Sequence, residues 1–329
     1  MKIYKAKGNS EFEIVDNDIL DPSYVKLKIS NICPVSSDIG IYTGKYSVKY
    51  PIVPCHMATG IVCEDRKSIG FPIGLRVILN PYILSTADND GHNDVGVYGY
   101  DTDGFLRDFI AMPSENLIPF PPEVKEDEAI FTEALAIALT TINAFSIKKG
   151  EYVAIIGGSV LANIIAQLVK YFQGVPIYVS NDTRLIDIAE KCGIYYIINE
   201  STEDVYQRVM NITGGRMADH TILHVKDGVS PHFIFSLAGR GGDGVVVSLN
   251  KTLPMFSTNI ALISKKQLTI RGVSCGLSEI TSAVNMLAQK QLNFSHFIDK
   301  VVNFNDAKVL FDEIAQEKNR YVFPIIKLQ

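Results

Sequence analysis

Residues 152–180 read YVAIIGGSVLANIIAQLVKYFQGVPIYVS. Tyr152 to Ile156 is a continuous apolar run, the pattern of a strand covered on both faces. Gly157 and Gly158 interrupt it. Apolar side chains then recur at 160, 161, 164, 165, 168, 169 and 172, which is helical spacing. PIYVS reads as a second strand, RLIDIAEKCG as a second helix ended by glycine, and YYIIN as a third strand. The order β-α-β-α-β within about 50 residues predicts an α/β architecture with a parallel, doubly wound sheet.

Downstream, DVYQRVMNITGG, HTILHV, HFIFSLAGRGG and GVVVSLN repeat the alternation, and LTIRG with the helical SEITSAVNMLAQKQ closes this half. The tail, VVNFNDAKVLFDEIAQ then VFPIIKL, reads as strand, helix and strand. Before Gly150 the texture differs. VKLKISNI (Val25 to Ile32) alternates apolar and polar side chains, as a half-buried strand does. GIVCE, RVILN, FLRDFIAM and NLIPF follow as short runs separated by Gly, Pro, Asn and Asp. EDEAIFTEALAIALTTINAF predicts one helix from Glu126 to Phe145. The change of texture places a β-rich domain over 1–148 and the α/β domain over 149–296.

The chain has 329 residues, 47% hydrophobic and 20% charged, which suits two domains with their own cores and excludes global disorder. A net charge of -5 argues against a nucleic-acid surface, which needs a clustered basic face. The five cysteines, Cys33, Cys55, Cys63, Cys192 and Cys275, contain no CxxC and form no disulfide framework, as expected in a reducing cytosol. No signal-peptide stretch and no membrane span is expected, so the expected location is cytoplasmic.

A strand, a glycine turn and a helix make an anion site, because N–H groups at the helix start and its dipole face a pyrophosphate. The six turn residues are Gly157, Gly158, Ser159, Val160, Leu161 and Ala162. Against the dinucleotide fingerprint GxGxxG, Ser159 replaces the second glycine and Ala162 the third. At the end of the next strand NAD enzymes place an acid on the ribose 2′-OH. Here the strand ends at Ser180, followed by Asn181, Asp182, Thr183 and Arg184. Ser180 does not repel a 2′-phosphate and Arg184 can pair with one, so NADP(H) is expected over NAD(H), with Asp182 a competing 2′-OH acceptor.

The segments SNICPVSSDIGIYTG, YPIVPCHMATGIV, DGFLRDFIAMPSENLIPFP, FTEALAIAL and KKQLTIRG flank this nucleotide unit in order. Their order and spacing resemble the medium-chain dehydrogenase/reductase superfamily, specifically its zinc-dependent alcohol and polyol dehydrogenase branch. The glucose, sorbitol, threonine and ribulose-5-phosphate members are similar in these segments. The resemblance implies a GroES-like catalytic domain over 1–148, completed by 297–329, and a Rossmann domain over 149–296. It also implies one catalytic Zn²⁺ with Cys33, His56 and Glu133 as ligands. Counting back from Ser37, Asp38 and Tyr42 puts Val35 at the cysteine position; a two-residue insertion, Pro34-Val35, restores Cys33. Cys55 replaces a family glycine and is a competing donor. Met57 replaces the Glu that follows the family His, and Gly40 stands where many relatives carry a proton-relay His. The four cysteines of the structural-zinc lobe are absent from LSTADNDGHNDVGVYGYDTDG, so no structural zinc of that kind is expected, and His92 there reads as part of a solvated loop.

By resemblance, the reaction is hydride transfer between the cofactor and a secondary alcohol or ketone, a polyol or sugar-type small molecule. Ser37 passes the alcohol proton toward the cofactor ribose, Asp38 orients the metal region, and His56 and Glu133 complete the catalytic set. The assembly implied is a homodimer or homotetramer. Two other readings stay open: a zinc-free quinone- or enone-type reductase of the same fold, and a non-catalytic NADP(H)-binding regulatory protein.

Overall fold

A computed structural model describes residues 1–16, 20–64, 69–84, 95–225, 232–247, 259–317 and 320–328. His92 lies outside them. The leading elements are β1 (Ile3–Ala6), β2 (Phe12–Val15), β3 (Val25–Cys33), α1 (Ser36–Tyr42), β4 (Met57–Val62) and β5 (Arg76–Leu79). Next come β6 (Tyr82–Leu84), β7 (Val95–Val97), β8 (Phe109–Met112), β9 (Leu117–Pro119), α2 (Glu126–Ala129) and α3 (Thr132–Asn143). The middle of the chain holds β10 (Tyr152–Ile156), α4 (Val160–Tyr171), β11 (Val175–Ser180), α5 (Thr183–Lys191), β12 (Tyr196–Asn199), α6 (Val205–Ile212) and β13 (Ala218–His224). It continues with α7 (Phe233–Ser236), β14 (Ala238–Val247), α8 (Ala261–Lys266), β15 (Thr269–Val273) and α9 (Ile280–Ala288). The tail forms β16 (Lys300–Asn303), α10 (Ala307–Gln316) and β17 (Pro324–Lys327).

The contacts divide the chain into two units, Met1–Thr132 with Ile298–Gln329, and Glu133–Phe297. The segment 133–148, expected with the β-rich domain, falls in the second unit. Its helix α3 is held there by close approach: a Cβ on Gly276 would lie 2.5 Å from the Ile137 nitrogen, and Asn143 Nδ2 donates to Glu279 Oε1 at 3.0 Å.

In the first unit, among the described residues, a sheet runs β16-β17-β3-β4-β5-β9, with β8 also paired to β3. Along β3 the expected alternation holds from Val25 to Lys28 and then gives way to full burial from Ile29 to Cys33. The strand is one-sided at its start and covered on both faces at its end. The helix α1 is anchored by Tyr42, whose hydroxyl donates to Asp312 Oδ1 of α10 at 2.6 Å and whose ring stacks on Phe12.

The single helix expected over Glu126–Phe145 is two, α2 and α3. Thr132, buried, turns its hydroxyl onto the Ala129 carbonyl at 2.6 Å, and Phe131 N–H bonds back to Glu128. A threonine that bonds a nearby carbonyl competes with the helical ladder, which a composition argument does not see.

In the second unit, among the described residues, six parallel strands run in the order β12-β11-β10-β13-β14-β15. That is the doubly wound order with the first strand at the centre. β10 is apolar throughout because both neighbours and both faces are covered. Among the described residues, no helix is long and apolar enough to cross a membrane.

Candidate active site

The first unit gathers its chemistry where β3 ends and β4 begins. The antiparallel register puts Cys33 opposite Met57, so His56 sits one residue from the cysteine's partner. Cys33 is fully buried and His56 is part-exposed. Asp38, one turn into α1 and 1% exposed, ties the segments together. Its Oδ2 accepts the Val35 N–H at 2.8 Å and its Oδ1 accepts the Cys55 N–H at 3.0 Å. The same Oδ1 faces His56 Nδ1 at 3.6 Å. A carboxylate on the Nδ1 side of the ring is the kind of neighbour that sets how a ligand-type histidine is oriented.

Cys55 holds a φ of 73°, a left-handed backbone that favours glycine. Its carbonyl accepts the Phe105 N–H at 2.8 Å, so the conformation is fixed from both sides. Burial pushes the Cys55 thiol up, and the nearby Asp38 and Cys33 add to this. At Gly40 the ring of Tyr46 fills the space in which a side chain would begin. Ser37 lies in the first turn of α1, half-buried.

Among the described residues, no group of three or more His, Cys, Asp and Glu side chains is placed to hold a metal ion. Cys33 and His56 belong to the first unit. Glu133 belongs to the second, in the first turn of α3.

The second unit builds its turn after β10. Gly157 has φ +123°, and a Cβ there would lie 2.6 Å from the His224 carbonyl oxygen. A Cβ on Gly158 would overlap the Ser180 hydroxyl. Both positions require glycine for space. Ser159 caps α4: its Oγ accepts the Ala162 N–H at 3.0 Å and lies 2.7 Å from His224 Nδ1. Val160 and Leu161 form the first helical turn behind it. The serine at the second glycine position is thus engaged by the helix and by a histidine on β13. His224 carried no signal of its own in the sequence, because it ends an ordinary apolar strand 65 residues away.

Ser180 is buried at the end of β11, and its Oγ accepts the Asp182 N–H at 3.0 Å. It supports the turn from below. Asn181 is exposed. Arg184 forks onto Asp182, Nε to Oδ1 at 3.1 Å and a terminal nitrogen to Oδ2 at 2.8 Å. Partial burial raises the Asp182 carboxyl, but the Arg184 fork outweighs it and holds the group below its ordinary range. The cation expected for a 2′-phosphate thus already has an anionic partner.

Comparison with known proteins joins both halves. Residues 21–122 match the family model of the alcohol dehydrogenase GroES-like domain, and residues 161–289 match that of zinc-binding dehydrogenases. The chain is 30% identical over 283 residues to a sorbitol dehydrogenase of Halalkalibacterium halodurans, covering 82% of this chain and 81% of that one. It is 28% identical over 317 residues to an uncharacterized zinc-type alcohol dehydrogenase-like protein of Haemophilus influenzae, covering 93% and 90%. An alcohol dehydrogenase of Thermus sp. superposes with a TM-score of 0.86 at 18% identity over the whole of both chains, a likeness of fold.

Proposed function

For a chain that belongs to the zinc-binding, medium-chain alcohol dehydrogenase family, we propose hydride transfer between NADP(H) and a secondary alcohol or ketone of the polyol or sugar class. The observation that carries the cofactor half is the turn at Gly157–Gly158, where space forces two glycines under a capped helix at the end of the central strand. The nicotinamide supplies or accepts the hydride; the protein holds and orients it. Gly157, Gly158, Ser159, Val160 and Leu161 cradle the pyrophosphate. Ser180, Asn181 and Arg184 face the adenosine ribose, and Arg184 serves a 2′-phosphate by exchanging Asp182 for it.

Zinc is the metal the family implies. The Cys33 thiol and the His56 imidazole are donor types that Zn²⁺ favours, and Asp38 behind His56 is the usual outer partner of such a histidine. Glu133 is the third donor by resemblance. When bound, the ion stabilises negative charge on a substrate oxygen. Ser37 receives the alcohol proton. With the Tyr46 ring at Gly40, that proton leaves through water rather than a histidine relay.

The test is metal stoichiometry together with turnover on a panel of polyols and ketones. We expect one zinc per chain, lost in His56→Ala, Cys33→Ala and Glu133→Ala. Retention of the metal in all three variants overturns the ligand set. The zinc-free reductase reading rests on the shifted spacing of Cys33 and on Met57 in place of the acid that follows the family His. Undiminished enone or quinone reduction by metal-stripped protein selects it. A homodimer or homotetramer is the assembly proposed, by resemblance to the family. Sedimentation checks it.

A further inference from the structure

A cavity of about 900 Å³ opens in the second unit at the far end of the sheet from the glycine turn. Glu151, on its wall, precedes β10, whereas Gly157 follows that strand. His220, 6% exposed, lies near the start of β13 with its ring flat on Phe145, centroids 4.4 Å apart and planes at 6°. Its Nε2 meets Glu151 Oε2 at 3.0 Å. Its Nδ1 lies 3.3 Å from Asp243 Oδ2 but makes no hydrogen bond. Glu151 can only accept, so Nε2 donates in that bond. Nδ1 is thus a buried polar atom without a hydrogen-bond partner, beside the part-exposed Asp243 carboxylate.

The cavity rim has the opposite character. Ala218 pairs with Ala238 and His220 with Asp243, so Gly239–Gly242 swing out of the ladder as a bulge. Gly241 in it has φ +77°, and a Cβ there would meet nothing within 4 Å. The bulge sets Arg240 at the rim, with Arg271 of β15 also on the cavity wall. Among the described residues, neither guanidinium forms an ion pair or hydrogen bond. Two of the three acids on the wall already accept hydrogen bonds. Glu151 accepts the Lys148 N–H at 2.7 Å as well as His220, which together hold it below its ordinary range against the effect of burial. Asp219 accepts the Tyr152 N–H at 2.8 Å.

We propose that this cavity binds a hydroxylated organic phosphate, with Arg240 and Arg271 on the phosphate and a ligand hydroxyl seated between His220 Nδ1 and Asp243. Planar guanidiniums match a phosphate's paired oxygens, and a hydroxyl, which both donates and accepts, gives the buried Nδ1 the partner it lacks. The site is separate from the nucleotide turn and needs no part of the dehydrogenase reaction.

The test titrates the full chain calorimetrically with ribose 5-phosphate, with NADPH in excess and without it. Ribose and inorganic phosphate are the comparison arms. The sugar phosphate is expected to bind at least tenfold tighter than either arm, in both nucleotide conditions. The double variant Arg240→Ala/Arg271→Ala is expected to weaken it tenfold or more while leaving NADPH affinity and basal turnover unchanged. Hydrogen exchange on the wild type is expected to slow at 239–243 when the sugar phosphate is added. Equal affinity in the double variant, phosphate binding as tight as sugar phosphate, or no protection at 239–243 each overturns the proposal. Loss of binding on adding NADPH would assign the ligand to the nucleotide turn and overturn it as well.

Discussion

The glycine turn of the second unit and the Cys33–His56 corner of the first are built on different principles. The turn is made mostly of backbone, from one short stretch, and its requirements are spatial: a left-handed Gly157 and no room for a Cβ at Gly158. The corner is made of side chains from three separate segments, brought together by the β3–β4 register and by one carboxylate, Asp38. A backbone site tolerates a serine for a glycine as long as the helix stays capped. A side-chain site depends on every segment arriving in register.

That contrast can be broken in order of effect. His56→Ala is expected to lower kcat/KM roughly a thousandfold, about 4 kcal/mol of transition-state stabilisation, while NADPH binding is unchanged. Steady-state kinetics beside a fluorescence titration separate the two. An equal loss in cofactor affinity would show that the corner and the turn are not independent. Gly157→Ala should do the reverse. Forcing a side chain into φ +123° strains the backbone by about 1–3 kcal/mol, so NADPH dissociation should rise between fivefold and a hundredfold with zinc content intact.

Asp38→Asn keeps the size and removes the charge that two N–H groups and His56 share. Zinc affinity should fall about 10–100-fold and stability by about 1–3 kcal/mol, read by chelator competition and urea unfolding. Asp182→Asn frees Arg184 and should move the NADP(H):NAD(H) ratio of kcat/KM about fivefold toward NADP(H), with Arg184→Ala moving it the other way. The folded carboxyl of Asp182 lies below its ordinary range. Its contribution is therefore full above roughly pH 4 and fades as pH falls through the lowered folded value, so Asp182→Asn should flatten the acid limb of the melting temperature. Cys55→Gly should have the smallest effect. Relief of the left-handed strain and loss of a buried side chain each amount to about 1 kcal/mol and oppose one another.

Much of the second unit was legible beforehand, and for a physical reason. Strands covered on both faces are apolar throughout, the helices between them follow a 3.6-residue period, and Gly157 and Gly158 mark a turn no other residue fits. What local patterns missed were contacts that need the folded sheet. Examples are Thr132 splitting α2 from α3, Tyr46 filling the space beside Gly40, His224 meeting Ser159, and Arg184 folding back on Asp182. The resemblance supplied Cys33 despite its shifted spacing, and the strand register sets it opposite Met57, the residue after His56.

By itself the sequence determined the alternation of strands and helices, the glycine turn and the family, because these depend on periodicity and on residues close together along the chain. Only the tertiary structure decided which polar groups meet, from Asp38 reaching both Val35 and Cys55 to His220 lying between Glu151 and Asp243. Such pairings are settled by strand register and by bulges, where a shift of one residue turns a side chain to the other face of the sheet.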